Sequence, residues 1–534
     1  MTGFAGYRIR PGRVCSRVDR SALDRGLAGL SRRPDERIGT TEIAGGRLAT
    51  YRRPGAATGP AYTRIATLRA ERGTFAAIEQ RPDGDIHIAT DRFGVRPVFH
   101  YTDDDLSAFA TSLRVLTAMI APRRRADPDA IATYVLLGEF LGTDTGWAGV
   151  RRLRGGERLT VGEQGTRTDI WYERQDGPRL SEPDALAAVE RTILAAVEAC
   201  LGDETRVHAA LSGGMDSRLV CAALRRLGAD VDSLCIAPDG SADAVLSLAA
   251  ADALGTRHRL YRTDPLPFLR DVPFSALVAA QLPTGAGTMW TGDGGSVMLG
   301  HTYLTAAAVA AAAAPAEDSA RTLMAPHRAR PPALVDTARL EAVEARLAAE
   351  HHDADALAPD KRLLHRYMRG DQARHADRYF EHIDLFGAVP VMPIFDAEVA
   401  DAVYAAPTDA LLSHRLYNRL LARIHPQAGR VPWQPYPGHE PGPLPLPASL
   451  VTQWEFDARP DADARAARRA AVAALRRQET GLDGLGRIAA ILATPLWRRA
   501  WQAERLLKLA QAMTLMPMPG TRAVLPPETP ISTN

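Results

Sequence analysis

The sequence has few cysteines, few lysines and no long apolar run. Its four cysteines, Cys15, Cys200, Cys221 and Cys235, have neither CxxC spacing nor the density of a secreted disulfide scaffold, so we expect reduced thiols. The longest apolar run, an alanine-rich stretch before Glu317, is too short to span a bilayer, and the N-terminus lacks the apolar core of a signal peptide. These absences predict a cytoplasmic protein without a membrane partner.

A strong charge of one sign is also missing. The formal net charge is +2, which implies no overall attraction to nucleic acid, and we expect none as a partner. Only two lysines are present, Lys361 and Lys508, and the other positive charges are arginines. With 46% hydrophobic and 24% charged residues in 534, the chain has the composition of a soluble globular protein and the length of two domains.

The spacing of apolar residues changes within residues 173–179. Before this segment, short β-branched and aromatic runs separated by Gly and Asp turns predict antiparallel sheets with few long helices. After it, helical spacing alternates with buried-strand runs, which predicts parallel βαβ units, and helices dominate beyond Leu304. We therefore predict one domain over residues 1–176 and a second over residues 177–534.

The motif LSGGMDS occupies residues 211–217, after a strand pattern and before an amphipathic helix pattern. A serine and two glycines at such a junction let backbone N–H groups approach a phosphate chain, and the helix N-terminus adds partial positive charge. Asp216 stands where a carboxylate can hold the Mg²⁺ that screens phosphates. The motif predicts an anion site with Ser212 and Asp216 as catalytic residues, and the simpler alternative is a glycine turn with an N-capping aspartate. The predicted nucleotide-binding residues here are Ala210, Leu211, Ser212, Gly213, Gly214, Asp216 and Ser217.

In this context the motif resembles that of the PP-loop (N-type) ATP pyrophosphatases, which break ATP between its α and β phosphates and adenylate a substrate. Three earlier segments, at 90–98, 109–113 and 149–156, resemble in order the DRFGxxPL, FASE and GIxxLPPG segments of the glutaminase-type domain of class B asparagine synthetases. The resemblance implies an α+β N-terminal glutaminase-like (Ntn-type) antiparallel β-sandwich domain. An α/β PP-loop ATP pyrophosphatase-type synthetase domain with a helical C-terminal part is implied to follow it, with ATP and Mg²⁺ as cofactors.

Two more segments of the second half resemble this family. The strand SLCIAP, which includes Cys235, is similar to the adenine-contacting strand. The segment TGDGGS is similar to the second phosphate-side loop, which implies nucleotide contacts from Gly292 and Asp293. Ser296 stands where the family has a metal-binding aspartate, so we expect Asp293 to bind Mg²⁺ together with Asp216.

Departures from the family pattern narrow the reaction. The motif PIFD at 393–396 resembles the PFLD element near the acceptor site, although a turn in the core is an equally good interpretation. The carboxylate expected just before it is absent, and no lysine occurs in 428–436, where asparagine and β-lactam synthetases carry a catalytic one. Thr2 replaces the N-terminal cysteine nucleophile, so we expect an inactive glutaminase-like domain that supplies no ammonia.

In these losses the chain resembles the lasso peptide cyclases. The resemblance implies that a precursor (core) peptide is the substrate, that one of its Asp or Glu side chains is adenylated, and that its N-terminal amine closes a macrolactam. A leader peptidase and a leader-binding protein are the further partners implied. An α-amino group has a pKa of about 8, so this nucleophile needs little help from an enzymic base. The alternatives are a small-molecule amide or β-lactam synthetase, a glutamine-independent asparagine synthetase homologue, a tRNA-modifying enzyme and a non-enzymatic scaffold.

Other polar residues of the second half are assigned to structure. His382, His425 and His439 each stand alone, which is more typical of packed or surface histidines than of catalytic bases. The charged residues of RYMRGDQAR, at 366–374, have helical spacing, and we expect them on a solvated helix face.

Overall fold

The computed structural model of the protein describes the chain in segments. They are residues 3–10, 20–30, 38–51, 72–263, 278, 281–282, 287–302, 304–329, 335–386, 388–434, 445–447, 450 and 509. Thr2, Cys15, His439 and Lys508 lie outside the described residues, so the interpretations that fall on them stay predictions. Among the helices that the described segments form, none has the length and the apolar character needed to cross a membrane.

The described residues before 171 form two antiparallel sheets that pack face to face. The strands are β1 (Gly3–Ile9), β2 (Ile38–Ile43), β3 (Gly46–Tyr51), β4 (Ala76–Gln80), β5 (Ile86–Thr90), β6 (Phe99–Thr102), β7 (Leu106–Ala110), β8 (Val150–Arg152), β9 (Glu157–Gly162) and β10 (Gly165–Ile170). One sheet has the order β2-β3-β1-β7-β6-β8 and the other β10-β9-β5-β4. Phe4 and Phe109 of the first sheet share a buried core with Ile88 and Leu159 of the second. The predicted antiparallel region is therefore confirmed, and it is a sandwich.

Both faces of the first sheet are covered, which explains why β1 is buried along its whole length. Successive side chains of a strand point to opposite faces. Phe4 accordingly lies in the core between the sheets, whereas Tyr7 lies in a second cluster with helices on the other face. Those helices are α1 (Arg20–Ala28), α2 (Leu113–Met119) and α3 (Pro128–Leu137). Two helices from the second half of the chain, Ala316–Ala329 and Thr337–His352, pack in the same cluster.

The second half contains a parallel five-stranded sheet, as the alternating pattern predicted. Its strands are β11 (Arg206–Ala210), β12 (Asp230–Pro238), β13 (Arg257–Thr263), β14 (Thr288–Trp290) and β15 (Val389–Val391), in the order β13-β12-β11-β14-β15. Every pairing between them is parallel. The chain runs outward from β11 in one direction to β13 and then returns to add β14 on the other side. The strand order therefore reverses between β11 and β14, and open α/β sheets bind ligands at the carboxyl ends of strands beside such a reversal.

Helices surround this sheet and make up the rest of the described chain. They are α4 (Glu182–Leu201), α5 (Asp216–Arg226) and α6 (Ala242–Leu254), with Gly295–Met298, Ala306–Ala312, Pro359–Tyr367, Ala373–Phe386, Ala397–Ala405, Thr408–Leu411, Arg415–Ile424 and Pro426–Gly429. A π-helical turn, Met368–Gln372, links Pro359–Tyr367 to Ala373–Phe386. Such turns arise where a helix accommodates an extra residue, and they occur frequently at functional sites.

A buried arginine joins the two halves. Arg152 of β8 is 2% exposed, and its guanidinium contacts the carboxylate of Asp377 through Nη2–Oδ1 at 2.7 Å and Nε–Oδ2 at 3.1 Å. Nη2 also donates to the carbonyl of Gly94 at 2.8 Å. Because a buried cation is costly unless its donors are satisfied, these bonds hold the helix of Asp377 firmly against the sandwich.

Candidate functional site

Two glycine-containing loops meet at the strand reversal. The 211–217 loop follows β11, and the segment Thr291–Gly295 follows β14, so both lie at the carboxyl end of the sheet. They are in direct contact: a Cβ atom on Gly292 would lie 2.2 Å from the backbone carbon of Asp216. A Cβ on Gly295 would lie 2.8 Å from both the Asp216 carboxylate and the Tyr417 hydroxyl. Glycine is therefore required at both positions for the two loops to pack.

Side-chain oxygens organise the backbone N–H groups of the 211–217 loop. The N–H of Ser212 donates to Ser217 Oγ at 2.9 Å, and the N–H of Gly214 donates to Ser212 Oγ at 3.2 Å. The N–H of Gly213 donates to Asp243 Oδ1, in the first turn of α6, at 2.8 Å. These bonds fix the shape of the loop, and the three N–H groups are paired within the protein. The partial positive charge that suits an anion comes from the N-terminus of α5, which begins at Asp216.

Asp216 is the first residue of α5 and its carboxylate faces the second loop. Its Oδ1 accepts hydrogen bonds from Ser296 Oγ at 2.7 Å and from the Tyr417 hydroxyl at 3.0 Å. Burial raises the pKa of Asp216 to about 6, the two hydroxyl donors lower it, and the nearby charge of Asp293 raises it further. The backbone N–H of Ser296 also donates to this carboxylate and lowers its pKa, so three donors hold the side chain in place.

Asp216 and Asp293 fit the part of a magnesium site that a protein supplies. Mg²⁺ usually binds one or two protein carboxylates and completes its octahedral shell with water and substrate phosphates. Within the described residues, no group of three or more His, Cys, Asp or Glu side chains could hold a metal ion by itself. The two carboxylates would therefore need phosphate oxygens as partners. Asp293 also lies 3.7 Å from Nε2 of His375, an exposed side chain at the mouth of the site.

Other residues predicted for nucleotide binding lie close to this loop. Leu211 is buried, and Ala210 at the end of β11 is partly exposed. Cys235, in the neighbouring strand β12, is buried, and its thiol contacts the carbonyl of Asp243 at 3.9 Å. Burial raises the pKa of Cys235 far above its usual range, so the thiol stays neutral and acts as an apolar packing group.

Three functional side chains were missed by sequence reasoning. Asp243 lies in the first turn of α6, and its contact with Gly213 has no signature in the sequence. Tyr417 lies 201 residues from Asp216, and only the fold brings the two together. Arg218, fully buried in the first turn of α5, donates to the carbonyl of Val431 at 2.7 Å and so reaches the segment where a catalytic lysine was sought.

The acceptor-side segment carries no lysine. The described part of it, residues 428–434, places Trp433 against His414 with ring centroids 4.8 Å apart. Lys361, the one lysine in the described part of the chain, is fully buried, and its Nζ donates to the carbonyl of Ala406 at 2.7 Å. Burial lowers the pKa of Lys361 to about 8. This amine is therefore bonded to a backbone carbonyl within the helical region.

The motif PIFD forms part of the core. Pro393–Phe395 is a buried 3₁₀ turn, and the Phe395 ring lies edge-on to Phe93 at 5.9 Å between centroids. The carboxylate of Asp396 caps the next helix and forms two 2.9 Å hydrogen bonds with the Arg72 guanidinium. The motif is therefore a turn in the core, where Asp396 fastens the two halves of the chain together, and its role near the acceptor site stays a prediction.

The expectation of a solvated face for residues 366–374 is wrong. Arg366 donates to Glu139 Oε1 at 2.6 Å, and both side chains are mostly buried. Arg369 donates to the carbonyl of Gly155 at 2.9 Å. Helical spacing alone does not distinguish a solvated face from one that packs on another domain, because arginine can bury its charge where carboxylates and carbonyls accept its hydrogen bonds. His425, by contrast, is structural as predicted, since its Nδ1 accepts the N–H of Ala428 at 3.4 Å.

Comparisons with known proteins identify both domains. A glutamine amidotransferase domain matches residues 62–172, and an asparagine synthase matches residues 188–291. No curated protein matches the chain. Two solved structures that match at 10% identity are an allosteric regulatory enzyme of purine biosynthesis and the glutamine phosphoribosylpyrophosphate amidotransferase from B. subtilis complexed with ADP and GMP.

The first similarity covers 54% of this chain and 74% of the other, and the second covers 55% and 75%, each with a TM-score of 0.19. The two domain matches, in the order expected, support the asparagine synthetase superfamily. Its asparagine synthase domain makes the protein an ATP-dependent carbon–nitrogen ligase.

Proposed function

We propose that the protein is a lasso peptide cyclase that forms a macrolactam within a precursor peptide, with the domain division 1–176 and 177–534. The observation that carries the proposal is the position of Lys361, which is buried and bonded to Ala406 while the described acceptor segment 428–434 has no lysine. A ligase that lacks an acceptor-side base suits an acceptor whose nucleophile is already a free amine at neutral pH. The N-terminal α-amine of a peptide, with a pKa of about 8, meets this requirement.

The first chemical step activates a carboxylate. A side-chain carboxylate oxygen of the peptide attacks the α-phosphorus of ATP, the bond between the α-phosphorus and the bridging oxygen breaks, and pyrophosphate leaves. The N-terminus of α5 stabilises the charge on the phosphates, and the hydrogen bonds within the 211–217 loop fix the shape of the loop. Asp216 and Asp293 would hold Mg²⁺, which supplies screening of the same charge.

The second step forms the amide. The N-terminal amine attacks the acyl carbon, the bond to the AMP oxygen breaks, and the ammonium proton is lost to solvent. A tethered nucleophile reacts with an effective concentration of about 10⁵ M or more when it is well oriented, so positioning supplies much of the rate. A leader-binding protein and a leader peptidase are the partners that would deliver the peptide.

A leader-free peptide with an N-terminal glycine and an acidic residue several positions later tests the proposal. With Mg²⁺ and ATP it should lose the mass of one water while AMP and pyrophosphate, and no ADP, are released. Acetylating the N-terminus should block ring closure but still allow peptide-dependent exchange of pyrophosphate into ATP. Lys361→Met should form product at the wild-type rate, because its amine is buried and bonded to the carbonyl of Ala406 and does not act as the base.

A small-molecule amide synthetase is the alternative to be distinguished. If the enzyme joins free amino acids with loss of water but acts on none of the peptides tested, the cyclase proposal fails. The assignment as an ATP-dependent carbon–nitrogen ligase would still stand. The glutaminase question has its own assay, since incubation with glutamine should release no glutamate if Thr2 has replaced the nucleophile. Glutamate formation at the rate of ATP use would instead indicate an ammonia-dependent synthetase.

A further inference from the structure

Arg218 is a buried cation held by backbone carbonyls. It lies in the first turn of α5 and is fully buried. Its Nη1 donates to the carbonyl of Val431 at 2.7 Å, and its Nη2 donates to those of Pro432 at 3.0 Å and Gly213 at 3.2 Å. A longer contact reaches Ala428 at 3.4 Å. Among the described residues, no carboxylate pairs with this guanidinium.

Such an arrangement is costly if its only role is to fill space. Removing a guanidinium from water carries a penalty of several kcal/mol, and an apolar side chain of similar volume often stabilises a protein more than a buried charge does. Burial lowers the pKa of Arg218 to about 10, so the group remains a cation at neutral pH. What arginine adds is a rigid planar set of donors, which orients several carbonyls at once.

The carbonyls that Arg218 joins belong to the two sides of the candidate site. Gly213 is in the 211–217 loop. Val431 and Pro432 precede Trp433, whose Nε1 donates to Asn418 at 3.1 Å. Asn418 follows Tyr417, which binds the Asp216 carboxylate. The guanidinium therefore closes a ring of contacts that runs from the phosphate-binding loop to the 428–434 segment and back to Asp216.

We propose that Arg218 is a positioning residue that fixes the distance between the loop where the carboxylate is activated and the 428–434 segment where the amine is held. The proposal rests on the proposed ligase reaction of the same site. It predicts that a weakened clamp leaves activation largely intact and impairs transfer of the acyl group to the amine. The acyl-adenylate would then be lost to water, and AMP would form without amide.

Arg218→Lys provides the test, because lysine keeps the charge but lacks the planar fork that reaches both sides. Two quantities are compared with wild type: pyrophosphate exchange, which reports activation, and the ratio of amide to AMP formed. The rate of pyrophosphate exchange should stay within about threefold of wild type, because the loop keeps its own hydrogen bonds. The ratio of amide to AMP should fall about tenfold or more, which equals about 1.4 kcal/mol at 25 °C. Equal losses in both quantities, or no loss in either, would overturn the proposal.

Arg226→Lys is the matched control. This arginine lies on the same helix and also donates to backbone carbonyls, those of Arg423 and Ile424, but it is partly exposed and far along the helix from the loop. It should keep the wild-type ratio. Trp433→Phe gives an independent test that leaves Arg218 in place, since it removes the bond to Asn418 and loosens the same segment. A wild-type ratio in this variant, whether or not Arg218→Lys folds, would also overturn the proposal.

The same assays separate failure of the proposed function from failure of the role proposed for Arg218. If wild-type protein forms amide only with small molecules, the cyclase proposal fails, and the same ratio is then measured with that carboxylate and amine. If wild type forms no AMP with any carboxylate, the proposed function and the role of Arg218 both fail.

Discussion

Replacing Asp216 with asparagine should abolish ATP turnover and at the same time stabilise the fold. The Asp216 carboxylate is buried near Asp293, and this burial raises its pKa from 3.8 to about 6. Because the folded state disfavours the charged form, this group lowers stability as pH rises from 3.8 to about 6, and the cost is complete above pH 6. A difference of about two pH units corresponds to about 3 kcal/mol.

Asparagine retains an oxygen that can accept the bonds from Ser296 and Tyr417, and it carries no charge. Denaturant unfolding of wild type and Asp216→Asn, with a chelator present, should therefore show a stability difference that grows by about 2 kcal/mol between pH 4 and pH 7 in favour of the variant. Asp203→Asn, on an exposed turn, is the control and should show no such growth. A difference that does not depend on pH would refute the reasoning, and retained ATP turnover would refute the assignment of the loop.

Two further predictions concern the packing around the same carboxylate. Tyr417→Phe removes a hydroxyl that lowers the pKa of Asp216. The acidic limb of the pH profile of kcat/KM for ATP should therefore move to higher pH, by up to about one unit, which is the size expected for one hydrogen bond to a charge. An acidic limb at the wild-type pH would contradict this. Gly292→Ala should eliminate ATP turnover and destabilise the protein, because its Cβ would collide with the backbone of Asp216 at 2.2 Å. Gly177→Ala, with no atom within 4 Å of the added carbon, is the control, and equal activity of the two variants would show that the loops do not need this close approach.

The local pattern of the sequence was enough to predict the elements that frame the site. Alternating apolar runs indicated the sandwich strands, and the strand, glycine loop and helix around residues 206–226 indicated a βα junction with an anion-binding turn. The strands, the loop and the helix were predicted correctly because side-chain period and turn chemistry are properties of a few consecutive residues. The same locality explains why TGDGGS was found as a loop but its contact with Asp216 was not.

The partners of buried charges depended on the tertiary structure. Arg366 was expected in solvent, but it binds Glu139 of the first half of the chain. The sequence did not predict this contact, because only the tertiary structure shows which face of a helix packs against a distant part of the chain. The same holds for the carbonyls of Val431 and Pro432 beside Arg218, which come from more than 200 positions along the chain. The sequence by itself determined where the chain turns, which faces are apolar and which residues form the two glycine-containing loops. The strand reversal between β11 and β14 decided which of those residues meet, because parallel strands bring distant parts of the chain to one edge of the sheet.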